Sequence, residues 1–163
     1  YPNGLDLQLW VMDDGPRVDM CVIIQDQLKA IGINIEIKVF EFGAYVSKTA
    51  LPDKELYFLS WNSSGDGDAS LYPLFHSTQH GASGNRSFYS NKEIDALLDK
   101  ARTSVNQDER TEIYKKVQDI LQEELPHYTL VYPKLNLAKS TKVKGMIFKK
   151  NGYVDLTKAY VEK

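Results

Sequence analysis

The stretch that decides the fold is LDLQLWVMDDGPRVDMCVIIQDQLKAIGINIEIKVF, residues 5–40. Aliphatic side chains occupy every second position from Leu5 to Val11 and again from Ile33 to Val39, which is the period of half-buried strands. Between these runs, Pro16 near the first helical position and Gly32 at the stop bracket a helix. Its apolar face carries Cys21, Ile24, Leu28 and Ile31. The pattern predicts a βαβ unit with parallel strands and a right-handed crossover.

The rest of the chain extends this unit into a small wound sheet with added helices. A short helix from about Phe42 to Leu51 and a strand from Leu56 to Trp61 complete a β-α-β-α-β start. A capping box at Ser90–Glu93 and a second helix start at Asn106, ended by Pro126, predict an antiparallel helix pair packed on the sheet. Residues 128–137 read as a strand. We therefore predict an α/β fold with a small mixed sheet and a C-terminal helical pair.

The loop after the third predicted strand has the composition of a binding site. An aromatic ring at the end of a strand can cover a ligand, while polar groups of the following loop orient it. Ligands of wound sheets bind beyond the carboxyl ends of the strands. The alternative is a surface loop with a partly buried tryptophan. The candidate ligand-binding residues are Trp61, Asn62, Ser63, Ser64, Gly65 and Asp66.

Arg86 is the one cation in the segment that leads back toward the sheet, and we include it among the candidates. A guanidinium could clamp a ligand carboxylate with two hydrogen bonds. The alternative, which we favour, is an ion pair with Asp66 or Asp68.

Four stretches, in order along the chain, resemble the peptide-type (family 5) solute-binding proteins of ABC importers. They are Tyr1–Gly4 before the first strand, Leu56–Phe75, Asn85–Leu98 with its tyrosine-serine-asparagine helix start, and Val143–Gly145 before the ending Ala159–Lys163. The resemblance implies one lobe of a type II periplasmic-binding-protein-like fold. Because members of that family are roughly three times longer, residues 1–163 are expected to form a single α/β domain, the C-terminal lobe fragment of a two-lobed receptor.

The resemblance also implies a function, although at one position this chain departs from the family's pattern. The expected ligand is a peptide or peptide-like solute. The implied partners are the ABC permease and ATPase subunits and the missing N-terminal lobe, and the implied location is extracytoplasmic. Peptide-binding members usually carry an aspartate three residues after the tryptophan, where this chain has Ser64. The string from Trp61 to Asp68 looks closer to the glutathione-binding branch.

Composition and spacing exclude other classes. A net charge of −2 and no basic patch with interleaved aromatics give no sign of nucleic-acid binding. The single cysteine, Cys21, is expected to be a buried free thiol. His76 and His80 lack a third ligand nearby, so we predict surface or loop histidines, no metal and no cofactor. We predict no enzyme; a small serine hydrolase using the Ser63–Ser64 loop and a ligand-free interaction module are the alternatives.

Overall fold

The computed structural model describes residues 4–62, 65–149 and 152–163. Its centre is a three-stranded parallel sheet, β1 (Leu5–Met12), β2 (Ile33–Phe40) and β3 (Leu56–Phe58), in the order β2-β1-β3. The connections are α1 (Gly15–Lys29) and α2 (Phe42–Thr49). The predicted wound α/β start is confirmed. The sheet is parallel throughout rather than mixed, and its third strand ends three residues earlier than predicted.

The alternation within β1 separates the two faces of the sheet. Odd-numbered side chains face α1 and form a first core, which contains Leu9, Val11, Cys21 and Ile35. The opposite face carries α2, whose buried Tyr45 donates a hydrogen bond to the carbonyl oxygen of Phe58 at 2.7 Å. The predicted buried thiol is confirmed, and its burial raises the pKa of Cys21.

A second core lies among three helices, α3 (Gly67–Phe75), α4 (Lys92–Thr103) and α5 (Gln107–Glu124). The ion pair Lys100–Glu109 (2.8 Å) joins the last turn of α4 to the first turn of α5, and the ion pair Glu93–Lys116 (3.0 Å) joins the first turn of α4 to the middle of α5. The two helices are therefore antiparallel. The expectation that this pair packs on the sheet is wrong, because α3 fills its apolar face. The buried members are Tyr72, Phe75, Ile94, Leu98, Ala101, Ile113, Val117 and Leu121.

The N-caps of α4 and α5 follow the predicted chemistry, with a shift of one residue at α4. The N-cap of α4 is Asn91, whose side chain accepts from the backbone N–H groups of Glu93 and Ile94, so the box predicted at Ser90 begins one residue later. Asn106 caps α5 as predicted. Two short 3₁₀ turns, Ser77–Gln79 and Gly81–Ser83, connect α3 to α4.

Residues 126–149 and 152–163 form what we call the C-terminal arm. The strand predicted over residues 128–137 is wrong, since this segment has no regular secondary structure. Beyond it lie two antiparallel pairs of two-residue strands: β4 (Val143–Lys144) with β7 (Tyr160–Val161), and β5 (Ile147–Phe148) with β6 (Val154–Asp155). None of the described residues of the arm is buried. Among the described helices, none is long and apolar enough to cross a membrane.

Candidate ligand site at the carboxyl edge of the sheet

The strand order creates a crevice at the carboxyl edge of the sheet. Because β1 lies between β2 and β3, the connection after β1 leads to the neighbour on one side, and the connection after β2 crosses to the neighbour on the other side. Wound sheets bind ligands where the strand order reverses in this way. Two aromatic side chains follow the strand ends and face solvent: Phe42 is 62% exposed after β2, and Trp61 is 45% exposed after β3.

Trp61 is half exposed but anchored at one edge of its ring. Its indole Nε1 donates to the carbonyl oxygen of Ala69 in α3, at 3.4 Å. Asn62, Gly65 and Asp66 are also exposed, and Gly65 adopts a φ of 95°, which favours glycine. The structure thus brings four of the predicted residues together on one exposed loop, and their role in ligand binding stays a prediction. Ser63 and Ser64 lie outside the described residues, as do Tyr1–Asn3.

The acidic groups of this loop are held by two arginines of the helical pair. Asp66 caps α3 by accepting from the N–H of Asp68 at 2.7 Å, and it pairs with Arg110 of α5 at 3.1 Å. Asp68 receives two hydrogen bonds from Arg102 of α4, at 3.0 and 2.9 Å. A ligand ammonium group at Asp66 would therefore have to compete with Arg110. These ion pairs join the loop to the helices whose core is described above.

Arg86 does not reach this loop. Its Nη1 donates to the carbonyl oxygen of Val46 at 2.7 Å and to the buried Thr49 hydroxyl at 3.0 Å, at the C-terminal end of α2. The favoured pairing with Asp66 or Asp68 is wrong, because those carboxylates hold Arg110 and Arg102. Since α2 begins at the carboxyl edge and is about 12 Å long, Arg86 lies at its far end. Its role as a ligand clamp stays untested, but the geometry does not favour it.

A different arginine, Arg17, contacts the residue that precedes Trp61. Arg17, in the first turn of α1, donates from Nη2 to the hydroxyl of Ser60 at 3.0 Å, and its Nε lies 3.6 Å from the carboxylate of Asp14. Sequence reasoning missed this cation. The signal was available, because Arg17 follows the turn after β1 and therefore falls on the same edge as the end of β3.

The histidines occupy two different environments. His80 is exposed, whereas His76 is buried in the connection after α3, with its ring stacked on Tyr72 at 4.3 Å. The Nδ1 of His76 accepts the backbone N–H of Thr78 at 3.2 Å, and its Nε2 lies 3.4 Å from Asp99. Within the described parts of the chain, no group of three or more histidine, cysteine or acidic residues is arranged to hold a metal ion.

A groove of about 570 Å³ lies away from this edge, near the amino ends of β1 and β2. Hydrogen bonds connect several of its lining residues: Asn34 donates to Asp6 at 2.8 Å, and the backbone N–H of Gln8 donates to Glu55 at 2.5 Å. The groove therefore does not overlap the loop that the sequence predicts as the site.

Comparison with known proteins shows which family this chain resembles. The model of the bacterial extracellular solute-binding proteins, family 5, middle region, matches residues 3–82. The glutathione-binding protein GsiB of Escherichia coli K12 is 31% identical over 153 residues, which are 89% of this chain and 30% of GsiB. These matches, together with the fold, confirm the resemblance to the family 5 extracellular solute-binding proteins that is stated above.

Two solved structures support this resemblance. The periplasmic binding protein DppA of Helicobacter pylori, in complex with the peptide STSA, is 32% identical with a TM-score of 0.80 over all of this chain and 32% of its own. A dipeptide-binding protein of Pseudoalteromonas sp. SM9913, in complex with Met-Leu, is 25% identical with a TM-score of 0.84 over 99% of this chain and 33% of its own. The chain thus spans about a third of the length of the relatives it matches.

Proposed function

We propose that this chain is the C-terminal lobe of an extracytoplasmic solute-binding protein that captures peptides or glutathione for an ABC importer. The observation that carries the proposal is the exposed loop of Trp61 and Asn62 at the carboxyl edge, in a chain whose relatives are named for binding peptides, dipeptides and glutathione. The N-terminal lobe would close over this edge, and permease and ATPase subunits would receive the ligand.

In this proposal, Trp61 covers the ligand while the loop from Asn62 to Asp66 supplies hydrogen bonds. Arg17 provides the positive charge at the edge that sequence reasoning had sought in Arg86. The function is capture without catalysis. The compared relatives are named as binding proteins, which gives the serine hydrolase alternative no support.

The test is calorimetric titration of the intact receptor with glutathione and with Met-Leu. Trp61→Ala should weaken binding of the cognate ligand by about 1–3 kcal/mol, the range for loss of an aromatic anchor, with little change in the unfolding midpoint. The control is Trp10→Phe, because Trp10 packs on Phe40 with ring centroids 5.2 Å apart on β1 and β2. We expect that variant to retain affinity. Unchanged affinity in Trp61→Ala, with a collapse of stability, would make Trp61 a structural residue.

The proposed preference for glutathione is tested through Ser64. A neutral hydroxyl cannot give a ligand α-ammonium the charge-assisted bond that an aspartate gives. The native receptor should therefore accept a tripeptide and its N-acetylated form with similar affinity, and Ser64→Asp should strengthen binding of the free tripeptide. If acetylation weakens native binding tenfold, about 1.4 kcal/mol, a carboxylate clamps the amine. Asp66 would be the first residue to examine, and the proposed preference for glutathione would lose its main support.

A further inference from the structure

A proline lies inside α3, where its missing N–H has a defined consequence. Pro73 is the seventh residue of this nine-residue helix. In a regular helix, the N–H of residue 73 would donate to the carbonyl oxygen of Ala69, four residues earlier. Proline has no N–H, and its ring also crowds that carbonyl. Hydrogen bonds continue on both sides, from Ser70 N–H to Asp66 and from His76 N–H to Tyr72. The carbonyl of Ala69 is therefore left without its helical donor.

The indole of Trp61 supplies a donor to this carbonyl. Its Nε1 lies 3.4 Å from the Ala69 oxygen, and an indole nitrogen can only donate. One edge of the ring is thus held against α3, while 45% of the side chain stays exposed. A loop residue whose donor is fixed in this way presents its ring in a restricted orientation.

The acceptor itself stands on a rigid element. Tyr72 and Phe75 bury α3 in the helical core, and Asp68 ties its first turn to Arg102. Gly67 lies so close to α5 that a Cβ there would come within 2.6 Å of the ring of Tyr114. The Ala69 carbonyl can therefore serve as a fixed reference point for the loop.

We infer that Pro73 is a positioning residue for Trp61: by removing the helical donor of Ala69, it makes that carbonyl the acceptor that orients the indole at the cleft. The effect of this orientation on ligand binding rests on the proposed function. Pro73→Ala would restore an N–H in the helix, and this N–H would compete with the indole for the Ala69 carbonyl. The helix would gain a hydrogen bond while Trp61 lost one.

The first measurement needs no ligand. The indole N–H resonance of Trp61 in the ¹⁵N-labelled intact protein is identified by its loss in Trp61→Phe. In Pro73→Ala, we expect this resonance to shift and its exchange with water to accelerate about two- to tenfold, the factor that one hydrogen bond accounts for. The melting temperature should not fall. Pro73→Ser, which also restores the N–H, is the second variant. The control is Pro52→Ala, in the turn before β3.

An unchanged indole resonance and exchange rate in a folded Pro73→Ala or Pro73→Ser protein overturns the inference. So does a change of equal size in Pro52→Ala, because the effect would then not depend on the helix interior. A fall in melting temperature that parallels the faster exchange would also overturn it, since general loosening of α3 would be the cause.

The second measurement is affinity, with glutathione and Met-Leu as probes. Pro73→Ala and Trp61→Phe should each weaken binding about two- to tenfold. The double variant should be no weaker than either one, because both changes remove the same hydrogen bond. Additive losses overturn the inference. A shifted indole resonance with unchanged affinity supports the positioning role and contradicts the proposed function of Trp61 instead.

Discussion

The chain from Leu5 to Glu124 and the C-terminal arm use similar apolar residues with opposite results. The first region buries them in two cores, one between the sheet and α1 and one among three helices. The arm leaves them in solvent: Tyr132 is 89% exposed and Leu156 is 60% exposed. A polar-apolar pattern therefore does not by itself produce a core, because a second surface must be available to cover the apolar face.

The strands of the arm are too short to supply that surface. Each of its four strands has two residues and pairs with one partner, whereas an isolated two-stranded hairpin is at best marginally stable. The arm and the core should consequently respond very differently to the same substitution.

The largest difference is expected for removal of a leucine side chain. Leu98 of α4 is 1% exposed in the core of the three helices, so Leu98→Ala should lower the free energy of unfolding by about 2.5–5 kcal/mol. The matched change in the arm, Leu156→Ala, should stay within about 0.5 kcal/mol. Urea unfolding of this chain measures both values. Equal losses would show that the arm packs against the core in solution, which would remove the contrast.

The sequence predicted the elements whose signals are local and missed those that depend on contacts elsewhere in the fold. β1, β2, α1, α4 and α5 were predictable because each has a clear period and a cap or stop residue within its own segment. α3 was missed because Asp66-Gly67-Asp68 has loop composition and Pro73 is unfavourable inside a helix. Its helical state depends on long-range contacts, among them the side-chain pair of Asp68 and Arg102.

For the candidate site, the location of a side chain was easier to predict than its hydrogen-bond partners. The location of Trp61 follows from a local rule, the end of a strand in a wound sheet. The partners of Arg86 do not, because Val46 and Thr49 are about 40 residues away and share no pattern with it. Sequence proximity suggested Asp66, yet the tertiary fold gives that carboxylate to Arg110.

Arg86 offers the second way to compare the regions. Arg86→Ala would remove the guanidinium that donates to the buried Thr49 hydroxyl and to the Val46 carbonyl, so we expect a loss of about 1–3 kcal/mol in the free energy of unfolding. The matched contact in the arm is exposed: Lys139 Nζ donates to the Val143 carbonyl at 2.7 Å. Lys139→Ala should change stability by less than about 0.5 kcal/mol.

Ligand affinity provides a further check on Arg86. If it is structural, Arg86→Ala should keep the affinity of the folded receptor, which is the reverse of the result expected for Trp61→Ala. A loss of affinity for a carboxylate-bearing peptide, together with unchanged stability, would instead restore Arg86 as a ligand clamp.

The smallest expected effect lies where the two regions meet. The ring of His127 at the start of the arm stacks on Phe75 of the helical core, with centroids 4.9 Å apart. Partial desolvation of the imidazole lowers the pKa of His127 below its ordinary value. Because the folded state disfavours the imidazolium, the unfolded chain binds the proton more readily. The stabilising contribution of neutral His127 is therefore fully present above the unfolded-state pKa of about 6.5.

This contribution is lost as the pH falls from the unfolded-state pKa toward the lower folded-state pKa, so the urea midpoint should be slightly lower at acidic pH than at neutral pH. His127→Phe keeps an aromatic ring on Phe75 but cannot titrate, and it should show a weaker pH dependence. Comparing the two proteins cancels the contributions that all other groups make to the pH dependence. If both show the same pH dependence, the arm does not hold His127 on the core in solution, and the stacking contact that joins the two regions is absent there.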